Sequence, residues 1–115
     1  MKYLKTYESD WKLHEDSPYL TAPSYKQYLI MEHTYRPNRL FIYNVVSLST
    51  SKLDTIVTMR RLFEYNTKTL KLTQDVDYYY FKASDITSSI LYQTDSLEDA
   101  KNTLETMTDA NKYNI

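Results

Sequence analysis

The sequence contains no glycine and no cysteine. Average usage of about 7% would put roughly eight glycines in a chain this long. A phosphate-binding loop, a dinucleotide-binding turn, a nucleophile elbow and a standard EF-hand loop all need glycine where backbone bends sharply or approaches a ligand. None is available here in standard form. Turns must use Asn, Asp and Pro instead, as Pro37-Asn38 and Asn66 suggest. Without cysteine there is no disulfide, thiol nucleophile or thiolate metal site, which fits a cytoplasmic protein. Only two histidines occur, His14 and His33, in separate segments without metal-ligand spacing, and both read as surface residues. No window approaches eighteen apolar residues, so no transmembrane helix is expected. No long apolar run follows the N-terminal lysines, so no secretory signal is expected. Net charge is −1 with 25% charged residues, which argues against a bulk electrostatic nucleic-acid binder.

Tyrosine is abundant, with 13 among 115 residues, a length that suits one domain with one core. The best-signalled stretch runs from Ser89 to Met107. Residues 88–94 read as a strand, and Ser96 can cap the helix that follows by accepting the Asp99 backbone N–H, with Asp99 reaching back. Leu97, Ala100, Leu104 and Met107 recur at spacings of three, four and three, which places them on one helix face. The spacing predicts a helix over 96–110 that needs a sheet to cover.

The remainder supplies that sheet. Over residues 1–25, an N-terminal arm, Tyr3, Tyr7 and Trp11 suit either a short amphipathic helix or a strand. Residues 26–94 hold the strands. Lys26 to Tyr35 alternates, with Leu29 and Met31 on one face and Tyr28 and Ile30 on the other. Arg36-Pro37-Asn38-Arg39 is a turn, with proline second and asparagine third. Leu40 to Leu48 is apolar on both faces and so reads as the central strand. Ser47 to Asp54 reads as a loop. In Thr55 to Tyr65, Val57, Met59, Phe63 and Tyr65 share a face, and Arg61 interrupts the pattern near an edge or by snorkelling. Residues 66–68 turn the chain into Thr69–Leu72. A polar break at 73–75 precedes a further strand at 77–82. The fold class is α+β: one antiparallel sheet of about five or six strands with a C-terminal helix on one face. Its opposite face is expected to be wet and rich in tyrosine.

No constellation for catalysis, cofactor or metal emerges, and the chain is not expected to be an enzyme. The serines of 47–51 have no activating base, and the acidic residues of 8–16 lack a turn that would converge them. Charge is more telling. Residues 26–72 carry eight basic and three acidic side chains (net +5), and residues 73–115 carry three basic and eight acidic (net −5). Such asymmetry either steers a charged partner or is neutralised within the fold. Tyrosine and arginine dominate binding hot spots. The contact residues expected on this ground are Tyr35, Arg36, Arg39, Tyr43, Arg60, Arg61, Lys68, Lys71, Tyr78 and Tyr80.

The chain therefore reads as a cytoplasmic protein–protein interaction module. Two alternatives are a single-stranded nucleic-acid (RNA) binder using sheet aromatics and basic hairpins, and a self-assembling virion or structural component. In composition the chain resembles the small lysine-, asparagine- and tyrosine-rich proteins of bacteriophages and mobile elements. That resemblance carries no residue across. It implies a host protein as partner, such as a nucleic-acid-processing enzyme or ribonucleoprotein, with a CRISPR nuclease as one example.

Overall fold

The computed structural model describes residues 23–113, with side chains through Met107. The helix or strand expected around Tyr3, Tyr7 and Trp11, and His14, lie outside the described residues. The elements are β1 (Tyr28–Met31), β2 (Arg39–Thr50), β3 (Thr55–Asn66), β4 (Lys71–Lys82), α1 (Ala83–Ile86) with a 3-10 turn (Thr87–Ser89), β5 (Ile90–Thr94) and α2 (Leu97–Tyr113). All strand pairings are antiparallel, in the order β4-β3-β2-β1-β5. β2, apolar on both faces, is the central strand. The fold is α+β, a five-stranded sheet with its C-terminal helix on one face.

Several boundaries differ from the sequence reading. β1 stops at Met31 because the chain turns early, with the Arg36 N–H donating to the His33 carbonyl at 3.0 Å. Ser47 to Thr50 is strand, since Ser47 and Ser49 lie opposite Thr58 and Ile56. The turn is only Ser51 to Asp54, closed by the Ser51 N–H donating to the Asp54 carbonyl at 3.0 Å. Likewise no break divides β4: Thr73 and Gln74 are paired within one 12-residue strand. Polarity misled in both places because successive residues of these segments are exposed, so a paired strand carries polar side chains there without cost. The four-residue helix α1 is too short to show a period and was not expected.

A bulge decides how the core divides. Arg61 lies opposite Tyr43 and Phe63 opposite Ile42, so Leu62 is the extra residue on β3. One inserted residue turns everything beyond it to the other face. Val57 and Met59 therefore part company from Phe63 and Tyr65, which had been expected to share their face. The first pair joins Leu29, Met31, Phe41, Tyr43, Ala83 and Ile86 beneath the crossover, with Tyr79 and Phe81 packed beside them. The second pair flanks Ile30, Leu40, Ile42, Ala100 and Leu104 beneath α2. The face opposite α2 is thus a dry core rather than the expected wet tyrosine face.

The anticipated stripe of α2 is the one it uses, since Leu97 and Met107 pack beside Ala100 and Leu104. Ser96 Oγ accepts the Asp99 N–H at 3.1 Å, as expected of a cap. The reciprocal half of the capping box is replaced. Thr94 Oγ1 accepts the Ser96 N–H at 3.1 Å, and the Asp99 carboxylate accepts the Tyr92 hydroxyl at 2.7 Å. That hydroxyl, foremost among its partners, holds the Asp99 carboxyl below the usual range.

Two turns take positive φ without glycine, at Asn38 (64°) and Leu70 (60°). Asparagine suits the left-handed region, and at Asn38 it occupies the turn position that requires it. Leu70 has no such excuse. It is held there by its N–H donating to the Asn66 carbonyl at 2.8 Å, while Asn66 Oδ1 accepts the N–H groups of Lys68 and Thr69.

Candidate functional site

The ten expected contact residues fall into three places. Tyr43 and Arg61 are buried in the core, so neither can touch a partner, which corrects their assignment. The physical reason is mutual. Arg61 lies on the inward face of β3 with Val57 and Met59, and only 3% of it is exposed. Its guanidinium carbon sits 4.1 Å from the ring centroids of both Phe41 and Tyr79, a cation held between two aromatic faces. Arg61 Nη2 donates to the Tyr43 hydroxyl at 2.9 Å and Nη1 donates to Asp75 Oδ2 at 3.3 Å. Burial opposes the charge on Arg61, but Tyr43, Tyr79 and Asp75 outweigh it and its pKa is raised. Arginine neither snorkels here nor lies on an edge strand.

His33 belongs to the same network and is buried, contrary to the surface role expected of it. Its ring stacks on Tyr35 (4.9 Å between centroids, 9° between planes) and on Phe81 (5.4 Å, 26°). His33 Nε2 lies 2.9 Å from the Tyr43 hydroxyl. Arginine cannot accept a hydrogen bond, so the phenol oxygen accepts from Arg61 Nη2 and, at 3.3 Å, from Nε, which leaves its own hydrogen to face His33 Nε2. This arrangement favours the tautomer with Nε2 unprotonated. Consistently, burial first, then Arg61 and Arg36, lower the His33 pKa from 6.5. Burial pushes Tyr43 up to about 12, against the pull of Arg61.

A pH dependence follows. Because the folded pKa of His33 is lowered, the unfolded chain takes up this proton first, and stability falls as pH drops through 6.5 toward the folded value. Above that window the contribution is complete. Denaturant midpoints at pH 7.5 and 5.5 are expected to differ more in the native chain than in His33→Gln. Equal differences in the two proteins would refute the assignment.

The second place is the hairpin end. The β1–β2 loop and the β3–β4 turn lie side by side, joined by the Thr67 N–H donating to the Asn38 carbonyl at 3.0 Å. Arg36, Arg39, Lys68 and Lys71 gather there with Tyr35, which is 63% exposed. Glu64 accepts from Arg39 Nε at 2.7 Å and from Arg36 Nη2 at 3.2 Å, fixing both guanidinium groups. Both of those ion pairs stay within the basic segment 26–72, whereas Arg61–Asp75 joins it to the acidic one.

The third place is the sheet face beside α2. The helix packs over Ile30, Leu40 and Ile42 and leaves the far part of β3 and β4 uncovered on its own side. Arg60 lies opposite Tyr78, Thr58 opposite Tyr80 and Ile56 opposite Lys82. Tyr78 is 59% and Tyr80 71% exposed, and Ile56 and Val76 are exposed as well. The sequence reading missed Ile56, although strand alternation places it with Thr58 and Arg60. Among the described residues no group of three or more His, Cys, Asp or Glu could hold a metal. Among the same residues no helix is long and apolar enough to cross a membrane. No protein-family model, curated protein or solved structure matches the chain.

Proposed function

We propose that this chain is a small non-enzymatic protein-interaction module whose contact surface is the uncovered part of the sheet beside α2. The observation that carries this reading is the adjacency of the exposed Tyr78, Tyr80 and Ile56 with the half-buried Thr58 and Arg60 on one face. Contiguous exposed apolar surface on a soluble domain marks a binding site more often than chance. Tyrosine and arginine are the side chains whose truncation costs an interface most. Among the described residues β4 is also an edge strand, which suits a partner that pairs with backbone beside these side chains. The compositional resemblance to phage and mobile-element proteins makes a host nucleic-acid-processing enzyme, such as a CRISPR nuclease, the first partner to try.

The experiment is capture of a stoichiometric partner from the native host, followed by affinity measurement with Tyr78→Ala/Tyr80→Ala. Two hot-spot losses of more than about 1 kcal/mol each predict at least a ~30-fold weaker complex. An affinity unchanged by the double substitution would remove the site. Light scattering that shows a large homomeric species would assign the face to copies of the chain instead.

A further inference from the structure

The hairpin end carries a feature the protein-binding reading does not use. Tyr35 is mostly exposed, yet its ring is not loose: one face stacks on His33, and His33 stacks in turn on Phe81. The inner side of the platform is therefore fixed through the buried His33 ring and the half-buried Phe81 ring, and 63% of the residue remains open to solvent. At the same end of the sheet, the β1–β2 loop and the β3–β4 turn bonded to it contribute Arg36, Arg39, Lys68 and Lys71, four cations against Glu64 and Glu32. Glu64 occupies one side of Arg36 and Arg39 and orients them without neutralising the end as a whole.

We propose that this end binds a short single strand of nucleic acid, with one base stacked on Tyr35 and its phosphates held by Arg36, Arg39, Lys68 and Lys71. Base stacking on an exposed aromatic flanked by cations is the chemistry of strand binding without strict sequence choice. An acidic protein segment would use the cations but has no need of a flat, pre-stacked ring. A duplex offers phosphates but keeps its bases from the ring. The end therefore favours unpaired bases, and nothing there distinguishes a ribose from a deoxyribose. The site is separate from Tyr78 and Tyr80, so neither proposal stands on the other.

The test is fluorescence anisotropy of the full chain with labelled ten-nucleotide oligo(U) and oligo(dT), a duplex of the same length, and poly-glutamate as competitor. Single strands of both sugars are expected to bind better than the duplex, with affinity falling as salt rises. Tyr35→Ala is expected to weaken binding about ten-fold, within the range for losing one stacked base. Lys68→Ala/Lys71→Ala should flatten the log–log salt dependence by about 0.7 for each phosphate that is no longer neutralised. Circular dichroism confirms that each variant is folded. Binding unaffected by Tyr35→Ala, equal affinity for the duplex, or displacement by poly-glutamate as readily as by unlabelled strand would each overturn the proposal. Absence of binding to any strand at low salt would also overturn it.

Discussion

Arg61→Ala is expected to destabilise the fold by about 3–5 kcal/mol, the combined cost of a cavity in the aromatic core and a lost charged hydrogen bond to a buried hydroxyl. Two losses coincide. The Tyr43 hydroxyl loses the donor that lets it face His33, and Asp75 loses its cation. The slot between Phe41 and Tyr79 is also left with a methyl group where a guanidinium had filled it. Domains of this size hold about 5–15 kcal/mol in total, so a large part of the stability is at stake. Arg61→Lys is expected to recover little, because an ammonium is not planar and cannot stack between two rings while donating to both sides. Urea unfolding followed in the near-ultraviolet, where the surrounding tyrosines report, measures both variants. A loss below about 1 kcal/mol for Arg61→Ala would show that the cluster repacks and that the network is dispensable.

Leu104→Ala is expected to cost about 2–5 kcal/mol, and to do so unevenly. α2 is anchored by few side chains: Ala100 and Leu104 are its buried residues among those described, with Leu97 and Met107 at the margins. An isolated helix of this length is marginal in water, so α2 depends on that seat. The variant should lose helical ellipticity at lower denaturant than it loses the near-ultraviolet signal of the crossover-side core. Coincident transitions would mean instead that the two faces of the sheet melt as one unit.

The sequence made some of this visible and hid the rest for identifiable reasons. The stripe Leu97, Ala100, Leu104 and Met107 and the cap at Ser96 were legible because helical periodicity and capping are local. β2 was legible as central because both its faces are apolar. The bulge at Leu62 was not, since the interruption at Arg61 reads equally as one misplaced side chain or as an inserted residue. Arg61 was placed on the face of Val57 and Met59 by alternation, but its burial was hidden because Phe41, Tyr43, Tyr79 and Asp75, which surround its charge, come from other strands. His33 was misread because its burial comes from Tyr35, Tyr43 and Phe81, supplied by three separate segments. Of the candidate site, exposure of Tyr35, Tyr78 and Tyr80 agrees with the sequence reading, while Tyr43 lies in the core because its side of the central strand is packed beneath the crossover.

The crossover that carries the chain from β4 to β5 has a consequence for synthesis. Every strand from β1 to β4 lies beside its neighbour in sequence, so this meander can pair as it leaves the ribosome. β1 alone must wait. Its outer edge, with Leu29, Ile30 and Met31, stays open until residues 90–94 emerge and fold back beside it. At about 5–20 residues per second the exposure lasts a few seconds, during which the nascent chain carries an apolar free edge. β5, made after the whole meander, is the strand that closes it.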